Sequence, residues 1–206
     1  MILDFNELIK RYNINIKGII HIGAFHGEEK IIYNNLGVNN VIWIEANPNY
    51  EEIIRNNVGD DIIIISGVGN ETSLTQFNIA NNGQSSSFLE LGTHLDEHPN
   101  IYYSEKIDVE IKKMSDIVNE YNIDLNQYNV ISIDTQGFEL EVMKGFDKLI
   151  NKIDCIYTEI NEKELYKGCP LVSDIDSYLN TYGFIRVSTN ITEHGWGDAF
   201  YIKEKK

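Results

Sequence analysis

Five short apolar runs recur along the chain, with helix-patterned segments between them. They are KGIIHIG (17–23), VIWIE (41–45), DIIIIS (61–66), YNVISID (128–134) and KIDCIYTEI (152–160). Runs of this length, rich in Ile and Val, read as strands covered on both faces. Between the first three lie EEKIIYNNLG (28–37), closed by Gly37, and PNYEEIIRNN (48–57), with Pro48 in its first turn. Gly past a helix end and Pro just inside its start are the expected punctuation. Parallel neighbours need a crossover, so a β-α-β-α-β series implies a parallel sheet with helices on both faces. DIIIIS is so uniformly apolar that it is expected away from an exposed edge.

The flanks fit the same plan. Asp4 can cap a short N-terminal helix (4–12) whose apolar side carries Leu8 and Ile9. An irregular insertion of about 70–111 holds two alternating stretches, SLTQFNIA (73–80) and EKIDVEI (105–111). Between them NNGQSSSFLELGTHLDEHPN (81–100) is too long for an idle connection and reads as a functional loop. Ser115 and Ser173 are expected to cap the helices that follow them, and FELEVMKGF (138–146) is a further helix. FIRVST (184–189) and DAFYIK (198–203) look like a closing antiparallel pair joined by NITEHGWG. No internal boundary appears, so residues 1–206 are expected to form a single domain.

Composition narrows the partners. Seventeen basic residues stand against 32 acidic ones, a formal net charge of −15. Such a surface repels nucleic acid and anionic membrane, while sugars and small metabolites stay open. The two cysteines, Cys155 and Cys169, have no metal spacing. MILDFNELIKRYNINIKG lacks the basic start and apolar stretch of a signal peptide, and no run is long enough to span a membrane. A cytoplasmic location is the expectation.

In such sheets ligands bind beyond the carboxyl ends of the strands. Gly23 and Gly27 follow the first strand there, Glu45 ends the second, Ser66-Gly67-Val68 follow the third, and Asp134 and Glu159 close the fourth and fifth. An acid ending the strand after a Gly turn accepts hydrogen bonds from ribose hydroxyls, which suits NAD or S-adenosylmethionine. The turn favours the second. It reads GxxxG rather than GxGxxG, and Glu28 and Glu29 at the helix start would oppose a pyrophosphate. The Tyr102–Lys106 spacing matches a dehydrogenase pair, but it falls outside any expected helix.

HIGAFHGEE, VIWIEANP, NNGQSSSF, VISIDTQGFELEVMKGF, YTEIN and GWGDAFYIK occur in this order. Together they resemble the FkbM-type family of S-adenosylmethionine-dependent methyltransferases over roughly residues 17–203. The resemblance implies a Rossmann-like class I methyltransferase fold, an α/β sheet of seven mostly parallel strands with the last antiparallel. It also implies O-methylation of a sugar, glycan or related small-molecule hydroxyl. By this resemblance Gly23, Ala24 and Gly27 line the methionine and ribose, and Glu45 holds the ribose. Gly67, Val68 and Gly69 approach the adenine, Asp134 and Gln136 lie beside the sulfonium, and Ser85, Ser86 and Ser87 sit near the mouth. His21 stands where many methyltransferases carry an acid, and is expected to orient the cofactor turn.

A sugar hydroxyl is too weak an acid to ionise freely, so a base should stand near it. Asp134, Glu159 and His194 are the candidates, with Trp196 available to stack on a sugar and Asp198 to bind substrate. The oxygen donors of Asp134 and Glu159 would also suit Mg²⁺, though nothing in their spacing requires a metal. An NAD-linked oxidoreductase and a non-catalytic Rossmann-like binding domain are the competing readings.

Overall fold

The computed structural model describes residues 1–204, apart from the Glu97 side chain. Ten strands form: β1 (Ile19–Ile22), β2 (Val41–Glu45), β3 (Ile62–Ile65), β4 (Gly67–Val68), β5 (Ser73–Ala80), β6 (Tyr103–Lys112), β7 (Val130–Ile133), β8 (Cys155–Asn161), β9 (Phe184–Ile191) and β10 (Trp196–Lys203). The helices are α1 (Phe5–Arg11), α2 (Lys30–Asn35), α3 (Glu51–Val58), α4 (His94–Glu97), α5 (Met114–Glu120), α6 (Glu139–Phe146) and α7 (Val172–Asn180). Seven strands make the main sheet in the order β3-β2-β1-β7-β8-β10-β9. The pairs from β3 to β8 are parallel, whereas β10 runs antiparallel to both β8 and β9. This is the Rossmann-like methyltransferase sheet expected from the sequence.

Strand alternation divides the core. Ile20, Ile22, Ile42 and Ile44 face a layer formed by α5, α6 and α7, through Met114, Ile117, Val142, Phe146, Ile175 and Leu179. Ile19, Val41 and Trp43 face the other layer, where Phe5, Leu8, Tyr33, Ile54 and Val58 come from α1, α2 and α3. Buried on both faces, β1, β2 and β7 carry no exposed residue, which is why they read as unbroken apolar runs.

Several local expectations need correction. DIIIIS forms β3, which is an edge strand, with Ile62 40% exposed. Its apolar run reflects partial cover, with Ile64 in one core layer and Ile63 against the other, and not a partner on its outer side. Ser115 lies inside α5, whose preceding amide at Lys113 is taken by Thr72 Oγ1 at 3.3 Å. Ser173 likewise lies inside α7, where Asp174 reaches back to the Leu171 amide at 2.9 Å. In the irregular insertion the two alternating stretches become β5 and β6, paired antiparallel from Ser73↔Ile111 to Ala80↔Tyr103, and β4, just before it, joins them in a three-stranded sheet β4-β6-β5. Tyr102 and Lys106 straddle the start of β6, and Lys106 pairs with Glu90 at 2.7 Å, so the dehydrogenase-like spacing has no helix beneath it.

Candidate active site

The carboxyl ends of β2, β1, β7 and β8, together with the start of β10, open into one cavity of ≈ 460 Å³. That volume lies within the range of small-molecule sites. Crossing from β2 to β10 takes four strand spacings, roughly 19 Å at ~4.8 Å each.

At the β2 end the turn after β1 is fastened down. The amides of Gly23 and Ala24 both donate to the Ile44 carbonyl, at 2.9 and 3.1 Å. Gly23 has φ +84°, and a Cβ there would overlap the Asp134 carbonyl oxygen. Only glycine lets the first turn and the end of β7 approach this closely. Glu45 is buried and accepts the Phe25 amide on Oε2 and the Asn47 amide on Oε1, both at 2.8 Å. Burial pushes its carboxyl up to about 7, against the pull of those amides. Gly67, Val68, Ser86 and Ala24 share this part of the wall, as do Phe25, Tyr50 and Phe88.

Across β7 and β8 a second cluster is centred on Gln136. Its amide nitrogen donates to Asp134 Oδ1 at 2.7 Å and to Glu159 Oε2 at 3.0 Å, while its oxygen accepts from the Tyr166 hydroxyl at 2.6 Å. A left-handed backbone, φ +54°, aims the side chain there. The turn beneath is set by Glu139, whose Oε1 accepts from the Thr135 and Gly137 amides at 3.0 Å and from Thr135 Oγ1 at 3.1 Å. Burial raises the Glu139 carboxyl to about 7. Asp134 is open to solvent through the cavity, yet the protein crowded round it raises its carboxyl, an effect that Gln136 opposes and Asp198 reinforces. Glu159 is only 6% exposed, and burial followed by repulsion from Asp134 raises it well above the usual carboxylate range. Since a proton-donating amide bridges Asp134 and Glu159, the pair is not arranged round a shared cation. Among the described residues no group of His, Cys, Asp and Glu side chains is placed to hold a metal ion.

The remaining candidates divide between the wall and its supports. His21 reaches the wall but is 3% exposed, stacked on Trp43 at 4.9 Å, with Nδ1 2.9 Å from the Tyr33 hydroxyl. Burial lowers its basicity, so it is held as a neutral ring. Gly27 lies behind the wall, packed against Val58 and Ile54 of α3, and Gly69 packs against Ile111 and Phe138. Ser86 holds the 80–86 turn through the Ala80 amide and the Gly83 carbonyl, and Ser87 donates to the Gln136 carbonyl at 2.7 Å. His194 sits at the β9–β10 hairpin, off the wall, its ring 5.6 Å from that of His98. His94, His98 and Trp196 are on the wall. Tyr166 and Tyr157 were not singled out from sequence. Tyr157 donates to Asp198, which also takes the Ile2 and Leu3 amides.

The FkbM methyltransferase domain model matches residues 21–186 of this chain. The chain belongs to the FkbM methyltransferase family. Among curated relatives, this FkbM chain is 32% identical over 93 residues to the 2-O-methyltransferase NoeI of Sinorhizobium fredii, covering 45% of the chain and 37% of NoeI. It is 41% identical over 49 residues to the methyltransferase sdnD of Sordaria araneosa, covering 21% of the chain and 19% of sdnD. The chain therefore spans well under half the length of either relative in these matches. Among solved structures it resembles Streptococcus pneumoniae Sp1610 in complex with S-adenosyl-L-methionine, with TM-score 0.52, 13% identity, and 100% of this chain and 75% of that one covered. It also resembles TrmK of M. capricolum in complex with S-adenosyl-homocysteine, with TM-score 0.51, 13% identity and coverage of 100% and 70%. At such identities these likenesses show the fold alone.

Proposed function

We propose that the protein is a single-domain, cytoplasmic S-adenosylmethionine-dependent O-methyltransferase acting on a hydroxyl of a sugar, glycan or related small molecule. The observation that carries this is the cavity itself, with Glu45 at one end and the Asp134–Gln136–Glu159 cluster two to three strand spacings from it. The family supports the reaction, and the 2-O-methyltransferase named among the relatives supports an oxygen as the atom methylated.

The residues present fit the cofactor. Gly23 lets the first turn close against the end of β7 at the cavity wall, and the carboxylates facing the cavity suit a sulfonium and an ammonium better than a pyrophosphate. When bound, S-adenosylmethionine supplies a methyl group already activated for in-line displacement. Glu45 would hold its ribose, Gly23 and Ala24 would lie along its methionine side, and Gly67 and Val68 would approach its adenine.

The chain's own work is to align an acceptor oxygen and take its proton. Asp134 is the base. It opens onto the cavity, and its raised carboxyl is a stronger proton acceptor than an ordinary aspartate. Gln136 fixes its rotamer. Glu159 holds the acceptor, and His194, lying off the wall, is given no step.

Asp134→Asn tests the base. Turnover should fall by about 10²–10⁴, the usual worth of a positioned general base, while the S-adenosylhomocysteine dissociation constant stays within threefold. Retained turnover removes Asp134 from the mechanism. Failure of both S-adenosylmethionine and S-adenosylhomocysteine to bind the folded protein, with NADH binding instead, would hand the cavity to the oxidoreductase reading.

A further inference from the structure

Six carboxylates face the cavity: Glu28, Glu29, Glu45, Asp134, Glu159 and Asp198. Among the described residues no lysine or arginine side chain lines it, although the Met1 amino group acts on Asp134. Three of the six have fixed partners. Glu45 takes two backbone amides, Asp198 takes the Tyr157 hydroxyl and the Ile2 and Leu3 amides, and Asp134 takes Gln136.

Glu159 combines burial with an oxygen still open to the cavity. Its Oε2 accepts from Gln136, whereas its Oε1 has no hydrogen bond among the described residues, in a side chain that is 94% buried and lines the cavity. That oxygen is reached from the cavity and is not sealed inside the protein, so a ligand that displaces its water must supply the matching donor. Glu159 lies directly opposite Asp198 in the β8–β10 ladder, and Trp196 is two residues along β10 on the same face. Diagonal neighbours in such a ladder stand ~7–8 Å apart, within the span of one sugar ring. Tyr166, tied to Gln136, completes this end of the wall. A carboxylate acceptor beside an aromatic ring suits a polyol that donates from its edge and stacks through its apolar face.

We propose that Glu159 and Trp196 select the acceptor by charge, taking a neutral or amine-bearing sugar ring and refusing one that carries a carboxylate or a phosphate. This rests on the methyl-transfer reading, since it names the acceptor of the same cavity. An anionic group brought to within ~5 Å of one unit of negative charge where Asp134, Glu159 and Asp198 converge should weaken binding by about 100-fold at the effective dielectric of a protein site.

The test uses the full chain saturated with S-adenosylhomocysteine at pH 8, where an ordinary imidazole is uncharged. Matched series on glucose, galactose and mannose are titrated calorimetrically, each comprising the methyl glycoside, the 2-amino sugar, the uronate and the 6-phosphate. In at least one series the neutral or amino member should bind about 100-fold more tightly than the uronate and the phosphate. Glu159→Gln should shrink that gap to under tenfold without changing S-adenosylhomocysteine affinity. If that variant does not fold, Trp196→Ala should weaken the neutral member about tenfold. Uronates or phosphates binding as well as their neutral partners overturn the proposal, as does an unchanged gap in Glu159→Gln or no binding by any member. S-Adenosylhomocysteine failing to bind counts against the methyl-transfer reading alone. The same panel on the unliganded chain then decides the charge selection.

Discussion

Glu45→Gln isolates the contribution of one buried charge to cofactor affinity. The side chain keeps its size but changes its hydrogen-bonding capacity. Glu45 now accepts from the Phe25 and Asn47 amides, one on each oxygen, at 2.8 Å. Glutamine offers one accepting oxygen, so its NH₂ must face one of those two backbone donors. Either the turn after β1 or the one after β2 loses its anchor. Hydrogen bonds to a charged acceptor are worth ~1.5–3 kcal/mol and those to a neutral one ~0.5–1.5, a loss of ~1–1.5 kcal/mol for each ribose hydroxyl. Two hydroxyls give ~2–3 kcal/mol, or about 30- to 140-fold in the dissociation constant. Titration calorimetry with S-adenosylhomocysteine at pH 8 reads this directly, and a parallel thermal melt reports the cost to the turn. An affinity within threefold of the parent protein would show that Glu45 does not hold the ribose, and the reasoning would fail.

Two further outcomes can be checked. Glu45 holds a folded-state value of about 7, above that of a free glutamate, so near neutrality the empty site retains a proton that the unfolded chain has lost. Hydroxyl donors and a cationic ligand prefer the ionised carboxylate. S-Adenosylmethionine affinity should therefore rise from pH 6 to 8, with proton release visible in buffers of different ionisation enthalpy. The same shift means that Glu45 takes stability away from the empty protein as pH rises from the ordinary glutamate range to about 7; a flat affinity profile would contradict the assignment. Gly23→Ala should abolish cofactor binding, because φ +84° and the Asp134 carbonyl both exclude a Cβ. A soluble, folded Gly23→Ala protein with normal affinity would refute the close approach.

The parts legible in the sequence were those set by residues close together in the chain. VIWIE became β2 with the same ends, and the alternation of DAFYIK against FIRVST anticipated β10 and β9. Both signals are local, arising from a run of side chains that must satisfy one or two buried faces. DIIIIS misled because covered faces and a paired edge leave the same apolar signature. Ser115 and Ser173 misled because a capping atom can come from elsewhere, as Thr72 does for α5. Asp134 and Gln136 could be placed because the FkbM-like motif carries them together. Tyr166 could not, since its role depends on a contact with a residue 30 positions away. The open oxygen of Glu159 was likewise invisible, because an unmade bond leaves no trace in a string of letters.

Glu139 has a consequence for how such a protein diversifies. Every donor it takes on Oε1 lies within four residues, at Thr135 and Gly137, so residues 134–139 carry their own template. Apart from Ser87, which donates to the Gln136 carbonyl and would have to be kept, the turn does not draw its shape from the 81–101 loop or the β9–β10 hairpin, which supply His94, His98 and Trp196 to the wall. Those two segments can be rewritten for a new acceptor while the turn keeps its shape. Evolution, or a designer, can treat the one as a fixed cassette and the other as interchangeable lining.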